Sequence, residues 1–223
     1  MHETLYPMAE DARKAIVAAA QRLHREGLVV GSAGNVSARA EAPDAMYITP
    51  TSVAYPDLAP EQIVMVTFAG DPLEGEGLPS SESLLHGAIY RARPDAQAIV
   101  HAHPLFASVL AVRREAIPPI VDEQIIYLGG GVEVSDYAPP GSDELAASTL
   151  QALDSRNAVL LANHGTVTLA RDPASALELT RLVERLAQIW YFAAARPGAQ
   201  RLPEDMVASE IELFTMLQRA AAE

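Results

Sequence analysis

The strand-like segments of this chain are short, and most come in pairs joined by turns. They occupy residues 35–40, 45–49, 63–68, 158–162 and 166–170. Strands joined by tight turns are antiparallel neighbours, whereas parallel strands need a crossover of a dozen or more residues. The repeated strand–helix alternation of a doubly wound sheet is missing, so the pattern favours a largely antiparallel sheet.

Helical patterns are segregated from these strand pairs. They cover residues 8–26, 80–91, 105–112, 142–153, 173–194 and 203–222, with further strands at 96–103 and Val132–Val134. Pro/Gly clusters are spaced like turns between elements, and no long linker or internal repeat is visible. We therefore expect an α/β chain whose residues 1–223 form a single domain, with helices covering the sheet.

Composition excludes several function classes. The chain carries 16 Lys+Arg against 29 Asp+Glu, for a net charge of −13, so no basic field exists to attract nucleic acid. No apolar run approaches the roughly 18 residues of a membrane helix, and no secretory signal precedes the first helix. Cysteine is absent, which rules out disulfides, cysteine-based zinc sites and thiol catalysis and is compatible with the cytosol.

Two histidines stand at the end of an apolar strand-like run. The segment from Ala96 to His103 is mostly apolar, and Pro104 stops it. Successive side chains of a strand point to opposite faces, so His101 and His103 project to the same side. Two neighbouring imidazoles make half of a zinc site. A pair of partly buried polar histidines is the alternative interpretation.

His164 and Glu82 extend this set. His164 lies in a tight turn after a buried strand, where a rigid scaffold exposes a side chain. Glu82 begins a helix, where the helix dipole stabilises a carboxylate, with Ser80 or Ser81 as the cap and His86 one turn later. Each residue alone has a plain structural interpretation as a turn histidine, a first-turn acid or a packed histidine. Together, three histidines and one carboxylate are ligands that a catalytic zinc would use.

Three segments carry groups suited to phosphate. They are Gly31-Ser-Ala-Gly34-Asn35, Thr49-Pro-Thr51-Ser52 and Ser80-Ser81. Glycines let backbone N–H groups converge on an anion, and hydroxyls and a helix start add donors. A glycine turn, a hydroxyl turn and a helix cap are the alternatives. No nucleotide-binding glycine pattern of the Walker or Rossmann type occurs.

These segments resemble those of the class II, zinc-dependent aldolases of the aldolase/adducin family. The matching pieces follow the family's order from about residue 10 to 195. They are Gly31–Arg39, Ile48–Thr51, Leu78–His86, Arg93–His103, Tyr137–Leu145 and Asn163–Gly165. Any one of these is weak, and the ordered set is highly specific for the family.

The resemblance implies a role for each candidate residue. His101, His103 and His164 match zinc ligands, and Glu82 matches a carboxylate that is both ligand and catalytic base. The residues that match phosphate-binding positions are Gly34, Asn35, Thr51, Ser80 and Ser81, and Ser52, next to Thr51, is a further candidate. The resemblance also implies a three-layer αβα fold with a mainly antiparallel central sheet. It further implies one Zn²⁺ per subunit, with Mn²⁺ or Co²⁺ as alternatives, and a homotetramer whose site lies near a subunit interface.

The activity implied is that of a cytoplasmic aldolase acting on a small phosphorylated sugar. It would cleave a ketose 1-phosphate of the L-fuculose 1-phosphate type to dihydroxyacetone phosphate and an aldehyde. In physical terms, zinc stabilises the enediolate left when the C3–C4 bond breaks. No nucleic-acid or membrane partner is expected.

Two departures from the fuculose-phosphate members affect the site. Ser52 replaces a glycine, and the run Ile117–Gln124 lacks their partner-subunit tyrosine, so Tyr127, Glu123 or Asp122 is expected as proton donor. Other reactions on the same metal site stay open, namely a sugar-phosphate 4-epimerase, a decarboxylase or a dehydratase. A non-catalytic, adducin-like module would be expected to lose metal ligands, and here all four are present.

Overall fold

A seven-stranded sheet forms the centre of the computed structural model, which describes residues 5–222 and the side chains of residues 9–220. The strands are β1 (Asn35–Arg39), β2 (Ala45–Ile48), β3 (Val64–Thr67), β4 (Pro72–Glu74), β5 (Ala98–Ala102), β6 (Ala158–Leu161) and β7 (Gly165–Ala170). Their order is β4-β3-β2-β1-β5-β7-β6, and every neighbouring pair is antiparallel. The expected antiparallel sheet is confirmed.

Seven α-helices surround this sheet within residues 5–222. They are α1 (Leu5–Arg25), α2 (Ser83–Ala92), α3 (Leu105–Arg113), α4 (Asp122–Leu128), α5 (Asp143–Leu153), α6 (Pro173–Ala194) and α7 (Glu204–Ala222), with 3₁₀ turns at Tyr55–Asp57 and Pro60–Gln62. None of these helices combines the length and the apolar character that crossing a membrane would need.

The two faces of the sheet have separate apolar cores. On one face, α1 and α6 pack with Leu23 and Leu177 against Val100. On the other, α2 and α5 bury Leu85 and Leu145 against the sheet. Because neighbouring residues of a strand point to opposite faces, this arrangement gives the three αβα layers that the family resemblance implied.

The sheet is built from two antiparallel meanders that meet at β1 and β5. Residues 35–74 supply β1 to β4, and residues 98–170 supply β5, β7 and β6. At the junction Asn35 lies opposite His101 and Ser37 lies opposite Ile99. The face that carries Asn35 and His101 is the one covered by α2, so the junction lies beside the start of that helix.

Three local features differ from the sequence expectations. Strand β4 and helix α4 were not predicted, and Val132–Val134 forms isolated bridges rather than a strand. That segment runs beside β6, where the Ser135 N–H donates to the Leu160 carbonyl at 2.8 Å. The Leu160 N–H also donates to the Glu133 carbonyl at 2.8 Å, so the segment satisfies both backbone polar groups of Leu160 at the sheet edge without forming a strand.

Candidate metal centre

The end of strand β5 carries two imidazoles that lie close together. Its five residues are all buried, and His101 and His103 follow one another on the same face, with their Nε2 atoms 2.9 Å apart. The strand ends at Ala102, His103 follows it, and α3 begins immediately after Pro104. The Glu184 carboxylate accepts the first-turn N–H groups of Phe106 and Ala107, each at 2.9 Å, so α6 anchors the chain next to His103.

The turn between β6 and β7 supplies the third histidine. His164 lies there after Asn163, whose φ of 58° places it in the left-handed region. Ring centroids lie 4.6 Å apart for His101 and His164 and 4.9 Å apart for His103 and His164. One ring nitrogen from each of the three histidines falls within 4.8 Å of the others. The structure thus brings together all three histidines singled out from the sequence.

Glu82 completes the cluster from the start of α2. It is 5% exposed, with Oε2 3.0 Å from His101 Nε2 and Oε1 3.6 Å from His164 Nε2. Glu82 itself occupies the N-cap position, without a side-chain capping bond. The expected cap by Ser80 or Ser81 and first-turn position of Glu82 are therefore wrong. The carboxylate turns into the cluster instead of bonding its own helix.

Hydrogen bonds fix which atoms face the centre of the cluster. His101 Nδ1 lies 3.0 Å from the Thr166 carbonyl, and because a carbonyl only accepts, Nδ1 carries the proton. In the neutral ring, the lone pair of His101 Nε2 therefore faces the Glu82 carboxylate, which is also an acceptor. Glu82 Oε1 is buried without a hydrogen-bond partner among the described residues. Acceptors that converge in this way fit a cation placed among them.

The donor set and its spacing also fit zinc. Imidazole nitrogens and one carboxylate are usual Zn²⁺ ligands, and tetrahedral bonds of about 2.1 Å separate ligand atoms by about 3.4 Å. The corresponding separations are 2.9 Å between His101 and His103, 3.0 Å between His101 and Glu82, and 3.6 Å between His164 and Glu82. Mn²⁺ and Co²⁺ accept the same nitrogen and oxygen donors.

Burial and the interactions among the clustered side chains set their protonation states. Burial, reinforced by the neighbouring imidazole of His101, lowers the pKa of His103 to about 3 and that of His164 to about 4. Burial acts to raise the pKa of Glu82, but its interactions with His101, His164 and Asn35 outweigh this effect, and the pKa lies well below its usual range. The two imidazoles are thus neutral and the carboxylate ionised near neutral pH.

These pKa values predict weak competition between metal and protons. An ordinary imidazole, of pKa about 6.5, would weaken metal binding about 30-fold at pH 5, and two would weaken it about 1,000-fold. Because His103 and His164 take up protons only near pH 3 and 4, we expect the Zn²⁺ affinity to change far less between pH 7 and pH 5 and to fall steeply below pH 4. Competition titration with a chromophoric chelator measures it. A loss near 1,000-fold at pH 5 would contradict the prediction.

Asn35 has a role that the sequence did not reveal. Its side chain is buried and its Nδ2 donates to Glu82 Oε2 at 2.9 Å. From its sequence position, Asn35 was expected only among the phosphate-binding residues. The register of β1 against β5, which sets Asn35 beside His101, was the missing information.

The other phosphate-binding candidates lie on adjoining segments. The Thr51 N–H donates to the Leu78 carbonyl at 2.9 Å, and the Ser80 N–H donates to the Thr49 carbonyl at 3.2 Å. These bonds hold the segment of Thr51 and Ser52 against the segment that leads to Ser80 and Ser81. Thr51, Ser52 and Ser81 are exposed, and Ser80 is half-buried.

Backbone conformation distinguishes Gly34 and Ser52 in this region. Gly34 has a φ of 78°, and a Cβ there would lie 2.5 Å from the His101 carbonyl oxygen, so glycine alone fits. Ser52 has a φ of 64°, a left-handed conformation that glycine adopts without strain. This explains physically why a glycine suits the position that Ser52 occupies.

The expected proton donors lie away from this cluster within the chain. Tyr127 and Glu123 are exposed on α4, which packs against α7. Asp122, at the start of the same helix, lies beside Glu210. Among the described residues, none of the three forms a hydrogen bond or ion pair with the four clustered side chains.

Comparisons with known proteins identify the family of this chain. The family described as class II aldolase and adducin N-terminal domain matches residues 14–191. A 5-deoxy-D-ribulose 1-phosphate aldolase of Bacillus thuringiensis is 32% identical over 207 residues, covering 93% of this chain and 97% of the relative. An L-fuculose phosphate aldolase of Escherichia coli is 37% identical over 193 residues, covering 85% of this chain and 87% of the relative.

A solved structure extends the likeness to three dimensions. An L-fuculose 1-phosphate aldolase superposes with a TM-score of 0.86 at 34% identity, covering 92% of this chain and 96% of the other. The family match spans the positions of all four clustered residues, and the superposition extends over most of the chain. This chain therefore belongs to the class II aldolase and adducin family, as one of its aldolases.

Proposed function

We propose that this aldolase cleaves a ketose 1-phosphate to dihydroxyacetone phosphate and an aldehyde, with Glu82 as the catalytic base. The observation that carries the proposal is the position of Glu82. Its carboxylate is buried, lies within 3.0 Å of His101 Nε2 and keeps one oxygen without a hydrogen-bond partner. A buried carboxylate beside a cation site can leave the cation when substrate arrives and accept a proton.

The metal ligands in the proposal are His101, His103, His164 and Glu82. A bound Zn²⁺ would supply Lewis-acid chemistry, polarising the carbonyl and hydroxyl oxygens of the sugar so that the neighbouring C–H becomes acidic. Asn35 donates to the same carboxylate oxygen that approaches His101. Its bond therefore orients Glu82 and leaves Oε1 as the oxygen that takes or returns the proton at C3.

Neutral donors hold the substrate phosphate in this proposal. The residues are Gly34, Asn35, Thr51, Ser52, Ser80 and Ser81. None of them carries a positive charge, and the chain as a whole has a net charge of −13. The phosphate is therefore bound by hydroxyl, amide and backbone N–H groups next to the cation. Holding the phosphate fixes the sugar carbons relative to Glu82, which lowers the entropic part of the barrier.

The relatives suggest the substrate class. Their names specify 5-deoxy-D-ribulose 1-phosphate and L-fuculose phosphate. A ketose 1-phosphate split between C3 and C4 gives dihydroxyacetone phosphate and an aldehyde, whatever the sugar beyond C4. We place this chain's substrate in that class, as a phosphorylated pentulose or hexulose.

The proposal extends to the assembly. We infer a cytoplasmic homotetramer of one catalytic domain per chain, with a site near a subunit interface, as the family resemblance implies. Side chains that support self-association are apolar and exposed on α7, namely Met206, Ile211, Leu213, Met216 and Leu217. Tyr127 and Glu123 remain the proposed aldehyde-side proton donors, and their exposure on α4 suits a contribution to a neighbouring subunit's site.

A panel of phosphorylated ketoses tests the proposed function. The zinc-loaded enzyme should release dihydroxyacetone phosphate from at least one ketose 1-phosphate, measured by a coupled assay. It should also exchange a C3 proton of dihydroxyacetone phosphate with deuterated water, measured by NMR, and a chelator should abolish both activities until Zn²⁺ is restored. Turnover of a sugar phosphate without C3 exchange would instead favour epimerase, decarboxylase or dehydratase chemistry. Activity unaffected by complete metal removal would overturn the metal-dependent mechanism.

A further inference from the structure

A buried histidine outside the metal cluster links α2 to β1. His86 is fully buried, and its Nδ1 lies 2.6 Å from Ser37 Oγ. Ser37 Oγ in turn lies 2.8 Å from the Tyr90 hydroxyl. The neighbours of His86 on the same helix, Leu85 and Ile89, are buried in the apolar core of this face. Packing alone does not require a histidine at such a position.

His86 and Glu82 form two matched contacts with the same strand. Residues four apart on a helix share a face, as do residues two apart on a strand. Asn35 donates to Glu82, and Ser37 bonds His86. The first contact lies within the metal cluster and the second lies one helical turn below it. Together they define both the register and the rotation of α2 on β1.

Glu82 itself has only weak local support. It occupies the N-cap of α2 without a side-chain capping bond. Its N–H donates to Ser80 Oγ at 3.3 Å, and its carbonyl accepts from the His86 N–H at 3.3 Å, and both distances exceed those of good hydrogen bonds. The carboxylate position therefore depends on how α2 is docked, and after the Asn35 bond to Glu82 itself, the 2.6 Å contact of His86 is the next strong polar link between α2 and β1.

We propose that His86, held by Ser37, is a positioning residue that fixes the Glu82 carboxylate in the metal site. A shift of α2 along β1 would leave two buried polar groups unpaired among apolar side chains, which is strongly disfavoured. The pair therefore selects one docked position. His86 Nε2 has no partner among the described residues, so the ring is anchored through Nδ1 alone. The inference rests on the proposed function, because it assigns Glu82 a catalytic position.

Two variants of the link test this proposal. His86→Leu removes the polar link at similar volume, whereas His86→Asn keeps an amide near the position of Nδ1. We expect His86→Leu to lower kcat by about 10- to 100-fold, the range typical of residues that orient metal ligands, with KM changed less than about threefold. His86→Asn should recover most of that loss. Ser37→Ala breaks the same link from β1 and remains available if His86→Leu does not fold.

Ile89→Leu is the matched control. Ile89 is buried on the same face of α2, and a volume-conserving change there costs stability without touching the polar link. Its kcat should stay within about twofold of wild type even if its midpoint of thermal unfolding falls. The double variant Ser37→Ala, His86→Leu should lose no more kcat than His86→Leu alone, because both substitutions remove the same interaction between Ser37 and His86.

A Co²⁺ spectrum separates failure of this inference from failure of the proposed function. The visible bands of Co²⁺-loaded protein report ligand geometry without any turnover. Altered bands in His86→Leu but not in Ile89→Leu would support the positioning role, even if wild type proved inactive on every ketose phosphate. An active wild type, with His86→Leu and Ser37→Ala folded and unchanged in both kcat and spectrum, would overturn the inference and leave the proposed function standing.

Discussion

Replacing Glu82 by glutamine is expected to slow C3 proton exchange on dihydroxyacetone phosphate by about 10³-fold, within the range attributed to general acid–base catalysis. Glutamine has nearly the same shape, and its amide oxygen can still accept from Asn35, which donates to Glu82 at 2.9 Å. It cannot accept the substrate proton, and it removes the negative charge next to His101. NMR in deuterated water measures the exchange, and elemental analysis measures the bound metal.

Glu144→Gln is the matched control, because Glu144 is an exposed acid in the first turn of α5. We expect exchange by that variant to equal that of wild type. One contrary outcome is a Glu82→Gln variant that keeps its metal and its circular dichroism spectrum yet still exchanges the C3 proton at more than a tenth of the wild-type rate. That result would show that Glu82 is not the base. A rate loss fully restored by excess Zn²⁺ would reduce Glu82 to a ligand alone.

Gly87→Ala is expected to lower the free energy of unfolding by about 3 kcal/mol, at the upper end of typical overpacking effects. Gly87 lies within α2, and a Cβ there would overlap the carbonyl oxygen of Phe68. Backbone atoms cannot rotate away as a flexible side chain can, so the helix would have to move off the sheet. This cost opposes the gain of about 1 kcal/mol that alanine brings to a helix interior. Urea unfolding measures the difference.

Ala88→Gly provides the control at the next position of the same helix. Ala88 is half-buried, and the change should cost about 1 kcal/mol through helix propensity alone. Helix propensity predicts that Gly87→Ala stabilises the protein, whereas the contact with Phe68 predicts the opposite. A Gly87→Ala variant as stable as wild type would show that α2 does not approach Phe68 as closely as described.

The positions of the three histidines were largely predictable from the sequence, because each depends on local periodicity. The alternation of β5 placed His101 and His103 on one face, and the turn after β6 placed His164 at a strand end. These expectations needed no long-range information. The role of Asn35 toward Glu82 did, because it depends on pairing between strands about 60 residues apart.

The elements that sequence reasoning missed are short and depend on their neighbours. Helix α4 has seven residues, too few to show a clear helical period, and it is supported by packing against α7. Strand β4 has three exposed residues and begins with a proline, as sheet edges tolerate. Val132–Val134 has the composition of a strand, but only isolated bridges form there.

The junction of the two meanders also sets an order of assembly. Pairing within the first meander joins residues close in sequence, such as Arg39 and Met46, whereas the junction pairs Asn35 with His101. Closing long loops costs entropy before distant contacts compensate for it, so distant pairings form late during folding. Because the carboxylate of Glu82 and the imidazole of His164 also meet across such a distance, we expect nascent or partly folded chains to lack a complete metal site. Metal capture is then expected to report completion of the central sheet, and a stopped-flow metal signal should follow the last step of folding.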